Sequence, residues 1–159
     1  MKAITVYQPW ASLLACGAKK YETRSWPTYY RGPIAIHAGK KPYNLGEIDF
    51  GLVRGFMGAA ETALGIYEAN NAPLGAVVAT AELVECYEIS ADPEGPFLCV
   101  QWDGKNGDHE LIVKGDEILF GDWQPGRFAW EFVNMKLLPK PIPARGRQGL
   151  WDWNEEVRP

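Results

Sequence analysis

The alternation of apolar and polar positions predicts a chain built mainly from strands. Residues 3–7 (AITVY) alternate and are rich in β-branched side chains, as an opening strand should be. PWASLLACG (9–17) has a proline where a first helical turn accepts one and a glycine just past its end, which predicts a short helix. KYETRSW (20–26) is too short and too charged for a helix and should extend away from Gly17. PIAIHA (33–38) reads as a buried strand. Over 46–68 apolar residues recur at helical spacing but are interrupted by Gly55 and Gly58, predicting two short helices or one broken one.

GAVVATAELVECYEI (75–89) carries the strongest strand pattern, long enough to bend across a barrel, with Glu82 and Glu88 on one face and Glu85 on the other. PFLCVQW, EILFG and RFAWEFVNMKLL supply further strands around a DGKNGDHEL turn region, and Phe128, Trp130 and Phe132 share one face of the last. The tail LPKPIPARGRQGLWDWN is rich in Pro, Gly and Trp; it should be irregular yet packed, because Trp151 and Trp153 are poor residues to leave in water. Many short strands, few helices and little βαβ alternation predict an α+β chain: a compact, mostly β barrel with short helices packed outside it.

The 159 residues fit a single domain spanning 1–159, and 47% apolar content is that of a globular protein. No apolar run approaches the roughly 20 residues that cross a bilayer, and the N-terminus has no leader pattern. Cys16, Cys86 and Cys99 are odd in number and widely spaced, which argues against a disulfide framework and fits a reducing cytoplasm. The net charge of −4 hides a segregation. Residues 1–41 carry seven Lys and Arg against one acid, Glu22; residues 42–122 carry three bases against fifteen acids. Such a chain can present a cationic surface on an acidic body.

No phosphate-cradling glycine loop, dinucleotide fingerprint, H-E-x-x-H helix or G-x-S-x-G elbow is present, so neither a cofactor nor a metal is expected. His37 and His109 are far apart and do not suggest a metal centre; His37 reads as a hydrogen-bonded core residue. ARGRQG (144–149) is either a tight surface loop or a phosphate contact.

The distinctive stretch is GAKKYETR (17–24). Gly17-x-Lys19-x-x-Glu22-x-Arg24 resembles the G-x-K-x-x-E-x-R signature of the ASCH domain, a branch of the PUA-like superfamily. YQPWA, SWPTYYRGPIAIHAGK, GAVVATAEL, FGDWQPGRFAWEF and PIPARGRQGLW resemble that family in its order, so the likeness covers nearly the whole chain. It implies a PUA-like β-barrel with flanking short helices, a cleft walled by the signature loop, and binding of RNA or of a modified nucleotide.

The residues give that cleft a chemistry. Lys19 offers a compact charge for a phosphate oxygen, and Arg24 a planar fork for a phosphate or a base edge. Glu22 can accept from an exocyclic amine, or hold Lys19 or Arg24 in place. Tyr7, Trp10, Trp26, Tyr29 and Tyr30 are flat surfaces on which bases can stack. Gln8 offers a donor–acceptor pair, and Arg31, Lys40 and Lys41 match a phosphate rim. The expected partner is single-stranded RNA or a modified nucleoside or nucleotide, with Gln8, Trp10, Lys19, Glu22, Arg24, Trp26 and Arg31 as its contacts.

Three alternatives stand beside it. The same charges could form an ion-pair network bracing the barrel. The chain could also be a small hydrolase, because some ASCH proteins deacylate N4-acetylated cytidine and ribonuclease activity has been attributed to others. Lys19 and Glu22 would then be the catalytic pair. The amidohydrolases carry K-x-x-T where this chain has Lys19-x-x-Glu22, and Thr23 is one residue out of register. A Glu22 general base would need a raised pKa, whereas neighbouring cations lower it, which ranks binding above catalysis. An interaction domain using the acidic middle segment is a third reading, with no protein partner indicated.

Overall fold

The computed structural model describes residues 1–42, 72–91, 98–101 and 110–154. The helices expected over 46–68, most of the DGKNGDHEL turn and His109 lie outside the described residues. Among the described residues eight strands dominate: β1 (Lys2–Val6), β2 (Tyr21–Arg24), β3 (Gly32–Ala38), β4 (Ala76–Ser90), β5 (Leu98–Gln101), β6 (Glu110–Ile112), β7 (Phe128–Pro143) and β8 (Leu150–Asp152). Within the described residues a short helix, α1 (Trp10–Ala15), and a 3-10 turn at Gly115–Phe120 accompany them. This mostly β composition with few short helices agrees with a PUA-like barrel. No helix among the described residues is long and apolar enough to cross a membrane.

Two compact units are distinguishable, and β4 and β7 contribute to both. The first comprises Met1–Lys19, Pro33–Glu82 and Asn134–Pro159. Its strand order is β7-β4-β3-β1-β8. β1 runs parallel to β3, with Ile4 opposite Ile36 and Thr5 opposite His37, and antiparallel to β8, with Ala3 opposite Trp151. Ala3, Ala35, Val77, Trp151 and Trp153 form its core, so the two tail tryptophans are packed as their character demands. Helix α1 begins after Pro9 and is buried throughout Ala11–Ala15. Gly17, at φ +78°, terminates it in a left-handed turn that glycine enters without a Cβ penalty.

The second unit comprises Lys20–Gly32 and Leu83–Val133, with strand order β2-β7-β4-β5-β6. Ile89, Val113, Trp123 and Ala129 form one core cluster, edged by Tyr21, Tyr87 and Ile118. Phe128, Trp130 and Phe132 are all buried, as their shared parity requires. Along β4 the burial alternation slips between Val84 and Cys86, where the Cys86 N–H bonds the Glu85 carboxylate at 2.8 Å.

Two expectations are corrected. EILFG is not a strand, because Gly115–Phe120 forms a 3-10 turn. The Glu117 carboxylate accepts from the N–H groups of Lys20 (3.0 Å) and Tyr21 (3.2 Å), and the Glu117 carbonyl accepts from the Trp123 indole (3.1 Å). These long-range bonds set the backbone where the apolar run alone suggested extension. The tail is also less irregular than expected, since β7 continues through Pro139, Pro141 and Pro143. The Ala144 N–H bonds the Gly75 carbonyl at 3.0 Å, so even-numbered residues turn their N–H toward β4. The prolines, all odd-numbered, face away, where no ladder donor is required.

His37 is 1% exposed; its Nε2–H donates to the Ala144 carbonyl at 3.0 Å, while Nδ1 has no hydrogen-bond partner among the described residues. Burial, with a smaller push from the Lys40 charge, holds its pKa below the ordinary 6.5, against an opposing pull from that carbonyl. The unfolded chain therefore takes up a proton near pH 6.5 that the folded chain refuses. This contribution to stability is complete above that pH and is lost as pH falls toward the folded value. Thermal melts from pH 8 to 5 should show His37→Gln losing less stability on acidification than the wild type; parallel curves would contradict this assignment.

Candidate functional site

The signature stretch is divided between a helix end and a strand. The Lys19 N–H donates to the Leu13 carbonyl at 3.0 Å, closing the turn after α1, and its side chain is only 1% exposed. A lysine so deep must keep its ammonium solvated by protein acceptors, so it is an interior charge and not a solvated rim. Gln8 is likewise buried. Its Oε1 accepts from the Ser12 N–H at 3.1 Å and its Nε2 donates to the Pro73 carbonyl at 2.8 Å, so its amide braces the start of α1. Trp10 is half-buried as the first residue of that helix.

Glu22 and Arg24 stand two apart on β2 and therefore share a face. Across the ladder their partners are Trp130 and Phe128. Glu22 Oε1 lies 3.1 Å from Arg24 Nη2, with both side chains largely enclosed. The opposite face of β2 is anchored separately. Thr23 Oγ1 accepts from the Asp122 N–H at 2.9 Å, and Tyr21 packs edge-on against Tyr87 and Trp123. Tyr87 donates to Glu131 at 2.8 Å; burial and that neighbouring carboxylate raise its pKa, keeping the phenol protonated.

The chain leaves β2 into the loop 25–31, which carries most of the site's aromatic surface. Trp26 stacks edge-to-face on Trp130 with ring centroids 4.6 Å apart, and the Trp130 indole N–H points at the Trp26 carbonyl (3.4 Å). Thr28 Oγ1 accepts from the Tyr30 N–H at 3.1 Å, forming a local turn. Tyr29 is 72% exposed, while Trp26 and Tyr30 are half-buried. Arg31 ties the loop down. Its Nη1 donates to the carbonyls of Thr28 (2.8 Å) and Tyr30 (3.0 Å), and its Nη2 pairs with the Glu85 carboxylate on β4.

The second unit thus gathers Glu22, Arg24, Trp26 and Arg31; Gln8, Trp10 and Lys19 belong to the first. Glu85 and Glu117 hold loop 25–31 and the start of β2, roles the sequence did not single out, because each acts on a segment 54 or more residues away. Neither described free thiol suits nucleophilic chemistry: burial raises the pKa of both Cys16 and Cys86. Among the described residues no three His, Cys, Asp or Glu side chains are grouped to hold a metal.

Because Arg31 and Glu85 are mostly enclosed, removing either should leave the other charge poorly answered. Arg31→Ala or Glu85→Gln is expected to cost about 1–3 kcal/mol, while the double change Arg31→Met with Glu85→Leu should cost less than the sum. Denaturant melts check this, and single-variant losses below about 0.5 kcal/mol would mean that the pair behaves as a solvated one.

Residues 4–137 match the ASCH domain family. The chain is 31% identical over 126 residues to human (Homo sapiens) Activating signal cointegrator 1 and 34% identical over 126 residues to the mouse (Mus musculus) protein of that name. Each match covers 70% of this chain and 20% of the relative, so the chain spans about a fifth of the length of the curated relatives it matches. With the signature residues, the mostly β fold and a family match over most of its length, this chain belongs to the ASCH domain family.

Proposed function

We propose that this protein binds single-stranded RNA or a modified nucleotide through loop 25–31 and the adjoining end of β2. The observation that supports the reading best is the loop itself. It holds the well-exposed Tyr29 ring and the partly exposed Trp26 and Tyr30 rings on a backbone fixed by Arg31 and Glu85. A stacking platform that is already ordered loses little conformational freedom when a base lands on it. Arg24 precedes the loop with its guanidinium oriented by Glu22, suited to a phosphate or a base edge. Arg31 supports this surface from beneath, through the carbonyls of Thr28 and Tyr30, instead of meeting the ligand itself. Gln8 braces the start of α1 within the first unit, and the Lys19 side chain is interior, so neither is a ligand contact in this reading. The free thiols of Cys16 and Cys86 suit a reducing compartment such as the cytoplasm.

A hydrolase built on Lys19 and Glu22 gains nothing from this geometry, since the Glu22 carboxylate sits against a guanidinium and the Lys19 side chain is interior. RNA or nucleotide binding is therefore the stronger reading.

Titration of intrinsic tryptophan fluorescence with short single-stranded RNAs should show saturable quenching that weakens as salt rises. Tyr29→Ala should lower affinity about 5- to 150-fold, the effect of removing one stacked base, with little change in stability. Absence of binding at low salt, or a Tyr29→Ala variant that binds like wild type, would refute the site.

A further inference from the structure

The first unit carries a second cationic surface that the loop 25–31 site does not use. β1 and β3 run parallel and β4, β7 and β8 complete the order, so Val6, Ala38, Gly75, Ala144 and the start of β8 meet at one end of this sheet. The backbone bonds say so directly: the Gly39 N–H bonds the Val6 carbonyl (2.9 Å), the Gly75 N–H the Ala38 carbonyl (2.8 Å), and the Ala144 N–H the Gly75 carbonyl (3.0 Å). The segments that gather there are 5–9, 37–42, 72–76 and 143–150. Together they contain Lys40, Lys41, Arg145 and Arg147 and no acidic residue. All four cations are exposed, and Tyr7, 56% exposed, lies over Gly39, the residue before Lys40.

These charges sit on fixed backbone. In the loop 144–149, Ala144 and Gly146 are turned inward and the Arg147 backbone is tied down as well. The Ala144 carbonyl holds His37, Gly146 packs against the His37 ring, and the Arg147 carbonyl accepts from Thr5 Oγ1 at 3.0 Å. Thr5 Oγ1 is itself a partner of the Trp151 indole at 3.2 Å. Arg145 and Arg147 are left outward at an i, i+2 spacing. A Cβ at Gly146 would come within 2.7 Å of His37 Nδ1 and 2.8 Å of Thr5 Oγ1, so only glycine permits this docking. The Lys40 stem and the Tyr7 ring lie as closely over Gly75 and Gly39, where an added Cβ would meet each at 2.8 Å. Asp152, the nearest acid in sequence to this loop, is already paired with Lys2 at 2.9 Å.

We infer that this end of the first unit is a phosphate-binding track for single-stranded RNA, with Lys40, Lys41, Arg145 and Arg147 on successive phosphates and Tyr7 available to a base. The inference rests on the RNA-binding reading and extends it by a backbone contact on the first unit. A fixed backbone beneath the cations leaves only their side chains to order when a flexible polyanion binds. Each phosphate neutralised releases counterions, which is the measurable signature of such a track.

The test is fluorescence-anisotropy binding of labelled U12 across a salt series. Proteins compared are wild type, Arg145→Ala/Arg147→Ala, Lys40→Ala/Lys41→Ala, Gly146→Ala and Tyr29→Ala. Each double cation variant should weaken low-salt binding by roughly tenfold or more and flatten the slope of log K against log salt by about 0.7 for every phosphate no longer neutralised. Gly146→Ala, which keeps every charge, should weaken binding as well, whereas Tyr29→Ala should lower affinity without altering the slope. Wild-type binding with slopes unchanged in both double variants overturns the track while leaving the stacking site standing. No wild-type binding at all overturns both. Double variants that lose binding to phosphatidylserine vesicles but keep full binding to U12 would assign this surface to a membrane and refute the proposal.

Discussion

The ion pair between Arg31 and Glu85 is the contact on which the candidate site depends. A guanidinium and a carboxylate that are both mostly enclosed cannot be left unmatched, so each fixes the other's position. Glu85 is held in turn by the Cys86 N–H, at the point where β4 changes phase. Arg31 then has two N–H groups for the carbonyls of Thr28 and Tyr30. A charge requirement in the interior thus becomes a shape requirement on the surface: the loop must fold over the arginine, and its rings are left partly outward. The Trp26–Trp130 contact closes the other end of the same loop.

The same logic recurs through the molecule. Polar side chains that bond a distant backbone hold that segment in place. Gln8 bridges α1 and Pro73, Glu117 receives the chain entering β2, and His37 carries the loop after β7. Acids and bases of the signature follow this pattern, with Glu22 orienting Arg24 and Lys19 drawn inside. Charge on the outside is therefore not where the signature alone would put it. Arg145 and Arg147 carry it on a braced loop, whereas Arg24 of the signature is largely enclosed.

Much of the fold was legible because its strands obey a period of two. The buried row Phe128, Trp130 and Phe132, the helix between Pro9 and Gly17, and the packed Trp151 and Trp153 all follow from local pattern. The run EILF misled because three adjacent apolar residues read as a strand, while its geometry is imposed by Glu117 reaching Lys20 and Tyr21, 97 and 96 positions away. The proline-rich end of β7 misled in the other direction: prolines at every second position suit an edge, and parity, not composition, decides. For the site, the signature located β2 but could not tell an exposed lysine from a buried one. Nor could it distinguish an arginine that meets a ligand from one that holds a loop, since Glu85, Thr28 and Tyr30 are brought to Arg31 only by folding.

The central claim is that a base stacks on the aromatic loop after β2 beside Arg24. Titration of a 15N-labelled sample with a short single-stranded RNA, followed in amide, indole and guanidinium N–H correlations, addresses it most directly. The account predicts that signals of Trp26, Tyr29, Tyr30 and Arg24 Nε–H move and saturate together, while the Trp153 indole, buried in the first unit's core, stays in place. Saturable binding that leaves the 24–31 signals unmoved would contradict it.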